Sequence, residues 1–277
     1  VGIGGLLDTT NVVTGEIAVI TSIGLDHQET LGNSLAEIAE QKAGIFKSGK
    51  SAVIANLTPE ARIVCQKVAE DLGVTLYQAD KDFSFESGHF SSPLADLHQL
   101  KLGLEGAYQE ENAALALQVF LLFMNQRGEE IDEKVVQKAL QHTRWAGRLE
   151  AITSHTYLDG AHNLPALERL VEFIQEKIQQ GYQAQILFGA LKRKDYGGML
   201  TSLTEHLPDA ALYVSTFDYQ GSLEEQDLGG YTSIASYRDF IDHFEASAGE
   251  QDLLFVTGSL YFISEVRAYL MNPKSFD

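Results

Sequence analysis

The stretch D-G-A-H-N-L-P, which begins at Asp159, combines reactive residue types with a position where proteins often bind ligands. It follows a short apolar run, 156–158, that predicts a strand, and it precedes apolar residues at three- and four-residue steps, which predict a helix. Asn163 is a suitable N-cap, and Pro165 is tolerated because it falls in the first turn. Asp159 and His162 would then lie on the ligand side of an open parallel sheet. An ordinary strand–helix turn explains the spacing equally well.

Two further residues near the start of the chain could take part in chemistry. The apolar stripe of a helix predicted to begin after Ser34 places Lys42 on its buried side. A lysine there either extends past the helix end, where the helix dipole favours a cation, or is chemically altered and used. His27 follows a predicted strand and has acidic neighbours, which suit Mg²⁺, although a solvated loop histidine is the alternative.

The segment T-G-S-L-Y, from Thr257 to Tyr261, also follows a predicted strand and opens a predicted helix. Backbone N–H groups around Ser259 could hold an anion there. A tight turn assisted by glycine is an equally good interpretation. The single cysteine, Cys65, lies on the apolar side of another predicted helix, and we interpret it as a small core residue rather than a nucleophile.

An α/β framework is needed to position these residues, and the order of patterns along the chain predicts one. Beyond Gly147, strands alternate with helices, which indicates a parallel sheet with helices on both faces. Segments 22–34 and 223–228 are predicted as loops, and 82–101 as short antiparallel strands. The other predicted strands are 17–21, 51–55, 74–77, 149–152, 155–158, 184–188, 210–215 and 253–256. The predicted helices are 34–43, 59–72, 112–123, 132–141, 164–179, 196–206, 237–246 and 261–270.

Composition and charge exclude several classes of protein. The 277 residues are 44% hydrophobic and 21% charged, which is typical of a folded globular protein. The formal net charge of -19 is spread along the chain, so we expect no nucleic-acid partner and no binding to anionic membranes. No apolar run is long enough to cross a bilayer. One cysteine permits no disulfide within the chain, which favours a reducing compartment and predicts a cytoplasmic protein.

Eight stretches occur in the order seen in folylpolyglutamate synthases, which include the bifunctional dihydrofolate synthases and belong to the Mur ligase superfamily. The stretches are G-G-L-L-D-T-T-N, T-S-I-G-L-D-H-Q-E-T-L-G, E-Q-K-A-G-I-F-K, E-E-N-A-A-L-A-L, R-W-A-G-R-L-E, L-D-G-A-H-N, F-G-A-L-K-R-K-D and V-T-G-S-L-Y. The resemblance covers nearly the whole chain. It implies an α/β fold in which residues 1–147 are the remnant of a P-loop-type ATPase domain. Residues 148–277 would form a Rossmann-like ligase domain with a mostly parallel sheet.

The resemblance also implies an activity. These enzymes use ATP to join L-glutamate to folate, and some also act on dihydropteroate. ATP phosphorylates the carboxylate, the glutamate amine attacks the acyl phosphate, and phosphate leaves. Mg²⁺ screens the phosphate charge in this chemistry. A monomeric enzyme is expected.

The resemblance assigns roles to individual residues. His27 matches the family's magnesium-linked histidine, and Lys42 matches its carbamylated lysine, which would explain a lysine on a buried face. The remaining matches are nucleotide or substrate contacts. They are Asn112 on adenine, Arg148 on the phosphates, Asp159 and His162 on the nucleotide from the C-terminal domain, and Lys194, Asp195 and Ser259 near the substrate.

The chain departs from the family pattern near its start. The P-loop and a magnesium-binding glutamate would precede Val1, so we expect an N-terminally truncated chain. Leu6 also replaces a family arginine. A family member that keeps the fold without activity is therefore the main alternative. A nicotinamide-binding oxidoreductase, suggested only by glycine-rich turns, is a weaker one.

Overall fold

The chain divides into two units in the computed structural model, which describes residues 1, 3–25, 28–227 and 229–272. Unit 1 comprises Val1–Gly103 and Tyr108–Thr143. Unit 2 comprises Leu104–Ala107 and Arg144–Asp277. Each unit contains a parallel sheet of its own.

The described residues of unit 1 form a parallel sheet, a small antiparallel sheet and five helices. The parallel strands are β1 (Ile17–Ile20), β2 (Ser51–Ile54) and β3 (Thr75–Gln78), in that order. The antiparallel strands are β4 (Ser84–Glu86), β5 (His89–Ser92) and β6 (Ala95–Leu97). The helices are α1 (Gln28–Leu31), α2 (Leu35–Ala43), α3 (Pro59–Leu72), α4 (Tyr108–Arg127) and α5 (Glu133–His142), and a 3₁₀ turn covers Thr9–Val12.

Local signals explain where the helices of unit 1 begin and end. Ser34 caps α2, and its side chain exchanges hydrogen bonds with Glu37 in the predicted capping box. Pro59 opens α3, and Gly73 ends it in the left-handed conformation. Cys65 is fully buried in the core, as predicted. The prediction that 22–34 is a loop throughout was wrong, because Gln28–Leu31 forms the short helix α1, which buries Leu31.

Unit 2 is built on a six-stranded sheet. Its strands are β7 (Glu150–Ala151), β8 (Thr156–Leu158), β9 (Gln183–Phe188), β10 (Ala211–Ser215), β11 (Thr232–Ile234) and β12 (Asp252–Thr257). They follow the order β11-β10-β9-β12-β8-β7, and only the β7–β8 pair is antiparallel. Its helices are α6 (Leu164–Gln179), α7 (Tyr196–His206), α8 (Tyr237–Ser247) and α9 (Leu260–Met271).

Alternation along the central strand β12 places helices on both faces of this sheet. Leu254 and Val256 belong to a buried cluster with apolar side chains of α8 and α9. Phe255, which points to the opposite face, packs edge-on against Phe173 of α6, with ring centroids 6.2 Å apart. The predicted mostly parallel sheet covered on both faces is therefore confirmed.

Two features of unit 2 differ from the sequence predictions. The strand β11 was not predicted, since its three residues carry little apolar pattern and only pair along the edge of β10. The acidic run 223–228, predicted as a loop, contains a 3₁₀ turn over Glu225–Asp227. It is also anchored, because Glu224 and Asp227 both pair with Lys192. In the part of the chain that the structure describes, none of the helices has the length and apolar character needed to cross a bilayer.

Candidate functional site

Three turns of unit 2 meet at the carboxyl edge of its sheet because β12 lies between β9 and β8. The N–H of Asp159, after β8, donates to the carbonyl of Val256 at 3.0 Å. The N–H of Gly258, after β12, donates to the carbonyl of Ala161 at 3.1 Å. The N–H of Gly189, after β9, donates to the carbonyl of Thr257 at 3.0 Å. The starts of α6, α7 and α9 follow these turns, so several helix N-termini, which favour anions, lie at one edge.

Asp159 is used to build this edge. It is only 5% exposed, and both carboxylate oxygens accept backbone hydrogen bonds, from Ala161 at 2.9 Å and from Leu149 at 3.0 Å. The hydrogen bond from Leu149 also stabilises the backbone of that residue, which has a φ of 43° although it is not a glycine. Burial raises the pKa of Asp159, whereas the two N–H donors and the charges of Arg148 and His162 act to lower it. Both carboxylate oxygens are thus engaged with the protein's own backbone.

His162 offers a ring nitrogen to a ligand. Its Nδ1 lies 2.8 Å from the carbonyl oxygen of Gly160. A carbonyl only accepts, so Nδ1 carries the proton and Nε2 keeps its lone pair in the neutral ring. The side chain is half-buried, so Nε2 is held beside the edge of the sheet by the turn it belongs to. Arg148, half-buried in the same unit, places a positive charge near Asp159.

Ser259 and Asp195 are N-caps. The Oγ of Ser259, which is 4% exposed, accepts from the N–H of Tyr261 at 3.2 Å at the start of α9. Asp195 Oδ1 accepts from the N–H of Gly198 at 3.0 Å at the start of α7. The half-buried Lys194 precedes this cap in the turn after β9. The structure thus brings Asp159, His162, Ser259 and the 194–195 turn to one edge of the sheet. Ser259 and Asp195 act there as helix caps.

A groove of about 530 Å³ at this edge was missed by the sequence interpretation. Tyr219 and Tyr261 stack there with ring centroids 4.0 Å apart, and Arg193 lies close enough to act on the pKa of Tyr219. Lys192 also lines the groove, but Glu224 at 2.9 Å and Asp227 at 3.0 Å compensate its charge. The only sequence signal was the K-R-K-D run, because the tyrosines come from distant segments.

Lys42 lies in the last turn of α2 and is half-buried. Among the described residues its ammonium has neither a hydrogen bond nor an ion pair. The backbone near it is close-packed, since a Cβ at Gly5 would lie 2.9 Å from the carbonyl oxygen of Lys42. Leu6 donates its N–H to Gln41 at 2.9 Å while its side chain is 51% exposed. The predicted partner His27 lies outside the described residues.

Asn112 lines an apolar groove of about 760 Å³ in unit 1. Its Nδ2 donates to Gln109 Oε1 at 2.9 Å, which leaves the amide oxygen as an acceptor for a ligand. The other lining residues come from β1 with its flanks and from α4, and they are Glu16, Ile17, Val19, Thr21, Leu115, Ala116, Val119, Phe120 and Phe123. Asn112 and Lys42 both belong to unit 1, whereas the other described candidates belong to unit 2.

Comparison with known proteins identifies the family. The profile of the Mur ligase middle domain matches residues 4–120. Over 99% of its length the chain is 31% identical to the folylpolyglutamate synthase of Lacticaseibacillus casei, of which it covers 67%. The chain belongs to the folylpolyglutamate synthase family.

Further members of the folylpolyglutamate synthase family agree with this assignment. The chain is 33% identical to the dihydrofolate synthase/folylpolyglutamate synthase of Bacillus subtilis, over 97% of this chain and 66% of that protein. The bifunctional enzyme of Yersinia pestis, solved with AMPPNP and a Mn ion, superimposes with a TM-score of 0.78 at 28% identity. That alignment covers 98% of this chain and 65% of the solved one. The chain thus spans about two thirds of the length of these relatives.

Proposed function

We propose that this chain is part of an ATP-dependent ligase that joins L-glutamate to the carboxyl group of folate, and of dihydropteroate if it is bifunctional. The observation that carries the proposal is the hydrogen-bonded meeting of the D-G-A-H-N and T-G-S-L-Y turns at the helix N-termini of unit 2. Such an edge suits an anionic phosphate. Family membership supports the reaction class, since the relatives are named for it.

In this proposal the two units correspond to different domains of the ligase. Unit 1 is part of the central ATPase domain, which the Mur ligase middle-domain match over 4–120 supports. Unit 2 is the C-terminal ligase domain. The protein acts as a cytoplasmic monomer, and its single buried thiol, Cys65, suits a reducing compartment.

Each candidate residue has a physical role in the reaction. The positive charge of Arg148 attracts the nucleotide phosphates, and His162 Nε2 accepts a hydrogen bond from a hydroxyl group of the nucleotide, while Asp159 keeps the turn in shape. Glutamate attack on the acyl phosphate forms the amide bond and releases phosphate. Lys194, Asp195 and Ser259 border the substrate through their place at the same edge. The Arg193 side of the tyrosine groove supplies a positive charge that substrate carboxylates require.

The groove beside Asn112 fits the adenine ring. Its aliphatic and aromatic walls suit a flat apolar surface, and the free amide oxygen can accept from an exocyclic amine. A groove that combines apolar walls with one placed polar group is typical of small-molecule sites.

The magnesium role rests on the chemistry of Lys42. An unmodified ammonium repels Mg²⁺, whereas a carbamate offers the oxygen ligands that Mg²⁺ prefers. Lys42 fits this modification because it is half-buried and loses no ion pair among the described residues when its charge is reversed. Carbamylated Lys42 and His27 would support the ion, which when bound screens the phosphate charge.

The test uses the protein expressed from its complete coding sequence. With ATP, Mg²⁺, tetrahydrofolate and L-glutamate, we expect ADP release and a product one glutamate longer by mass spectrometry. Replacing tetrahydrofolate with dihydropteroate measures the second activity. Absence of ADP and product with either acceptor would contradict the ligase and favour an inactive member of the family.

A matched pair of variants tests the phosphate edge. His162→Ala is expected to lower kcat/KM for ATP on the order of tenfold while the melting temperature stays unchanged. His206→Ala, at an exposed position of α7, is the control and should match the wild type. Equal kinetics for both variants would remove His162 from the nucleotide site.

A further inference from the structure

The antiparallel sheet of unit 1 presents a group of imidazole and carboxylate side chains on one face. Phe90 of β5 and Leu97 of β6 pair directly, and both are buried on the other face. Alternation along each strand therefore turns His89 and Asp96 to solvent. The same register, continued by one residue, sets His98 directly opposite His89.

Three possible metal-ligand atoms converge there. Asp96 lies between the two histidines, with Oδ1 2.6 Å from Nε2 of His89 and Oδ2 3.2 Å from Nε2 of His98. The two rings stack with centroids 4.4 Å apart. One ligand atom from each residue lies within 4.8 Å of the others, so modest side-chain rotations bring all three around one ion.

We propose that His89, Asp96 and His98 form a binding site for a divalent transition metal of the zinc class. Two imidazole nitrogens and one carboxylate oxygen are typical ligands of zinc and of neighbouring metals such as cobalt and nickel. Mg²⁺ is a poor occupant, because it prefers a shell of oxygen ligands. This site is separate from the residues proposed to act on ATP.

The sheet offers a fourth ligand position. Glu86 of β4 pairs directly with His89 of β5, so its exposed carboxylate belongs to the same face. Glu86 or a water molecule can therefore complete the tetrahedral set that zinc favours.

The site combines an anchored backbone at His98 with exposed side chains, which suits the capture of an ion. The N–H of His98 donates to Glu133 Oε1 at 2.9 Å, and Gln137 Nε2 donates to the carbonyl of His98 at 2.9 Å, which fixes the strand end to α5. The side chains of His89 and His98 are 47% and 58% exposed, so they can turn their ring nitrogens toward an ion. The ion replaces the two hydrogen bonds between the histidine rings and Asp96, so all three side chains can offer their ligand atoms to it.

The occupied site would link β5 to the end of β6. An ion that binds only the folded protein raises its apparent stability by mass action. We therefore expect Zn²⁺ to raise the melting temperature of unit 1, and 1,10-phenanthroline to reverse the rise.

The experiment titrates metal-free protein, prepared with a chelator, by calorimetry with Zn²⁺ and by absorption with Co²⁺. We expect one ion per chain, tetrahedral cobalt bands and no competition from millimolar Mg²⁺. His89→Gln and His98→Gln should each weaken Zn²⁺ binding at least about tenfold. His142→Ala, an exposed histidine at the other end of α5, is the matched control and should bind as the wild type does.

Three outcomes would overturn the proposal. They are no saturable Zn²⁺ binding by the wild type, undiminished binding by a His89→Gln/His98→Gln double variant, and an equal loss in His142→Ala. Circular dichroism of the double variant identifies a folding defect. If that variant is unfolded, an Asp96→Asn variant gives the decisive titration, and unchanged binding by it would also reject the site. Because none of these residues belongs to the proposed ATP site, failure here leaves the ligase proposal intact.

Discussion

The two units hold their candidate residues in different ways. In unit 2 the candidate residues other than Arg148 lie in turns that follow β8, β9 and β12, and backbone hydrogen bonds join those turns. In unit 1, Lys42 and Asn112 lie on helices, with side chains that build little of the surrounding fold. The candidate residues of unit 2 are thus held by the backbone framework, whereas those of unit 1 are carried on replaceable side chains. Replacing a side chain that joins these turns, such as that of Asp159, should therefore affect stability and function together, whereas replacing Lys42 should affect function alone.

The largest effect on the free energy of unfolding is expected from substitutions in the aromatic cores. They test whether the two units unfold independently. Phe262 is fully buried in unit 2, with the rings of Phe217 and Tyr237 centred 5.1 and 5.5 Å away. Phe90 is its fully buried counterpart in unit 1. Phe262→Ala and Phe90→Ala should each cost about 3–5 kcal/mol of unfolding free energy. Hydrogen exchange should lose protection only in the unit that carries the change, and equal losses in both would reject the separation.

A direct test of the comparison uses one site residue from each unit. Asp159→Ala removes the acceptor for two buried N–H groups and should cost about 1–3 kcal/mol in urea unfolding. Lys42→Ala should stay within about 0.5 kcal/mol of the wild type, because no described hydrogen bond or ion pair is lost. A large destabilisation by Lys42→Ala would mean that unit 1 also depends on its site residues for folding.

A stabilising substitution is expected in the core of unit 1. Gln118 of α4 is fully buried, and neither polar atom of its side chain has a hydrogen-bond partner among the described residues. Gln118→Met keeps the shape and removes the unpaired groups, so the free energy of unfolding should rise by about 1–3 kcal/mol.

Its control is Gln109→Met on the same helix. This change removes the acceptor of the Asn112 hydrogen bond and should destabilise by about 0.5–1.5 kcal/mol. If both variants lose stability in thermal melts, the side chain of Gln118 forms hydrogen bonds in solution, and the core of unit 1 contains polar partners for it.

The smallest expected effect is the pH dependence of stability that comes from the thiol of Cys65. Burial raises the pKa of this thiol from 9.0 to about 11, so the folded state favours the protonated form. The stability that this thiol contributes is present below the unfolded pKa of 9.0 and is lost as the pH rises to about 11.

Alkylation measures directly how well the folded protein protects the thiol of Cys65. At pH 8, iodoacetamide should label the folded protein far more slowly than the urea-unfolded chain, at a rate set by opening of unit 1. Cys65→Ala is the blank. Rapid labelling of the folded protein would mean that this core opens readily, which would sharpen the contrast with unit 2.

Much of the local structure was predictable from the sequence, because its signals act within a few residues. The capping box of Ser34 and Glu37 began α2, and Asn163 with Pro165 began α6 as predicted. Helices 59–72, 164–179 and 196–206 match their predicted bounds, and Cys65 proved to be a core residue. Motifs in their order also determined the family, since they depend on residue identity and not on contacts.

Only the tertiary structure decided which segments meet. The return of β12 between β9 and β8 joins the turns at Asp159 and Gly258, and no local pattern encodes a strand order. The same holds for the Tyr219–Tyr261 stack and for the register that faces His89 with His98. The two oxygens of Asp159 show the same division. The N–H of Ala161 reaches one oxygen within a local turn, whereas the N–H of Leu149 reaches the other because the antiparallel pairing of β7 with β8 brings these two residues together.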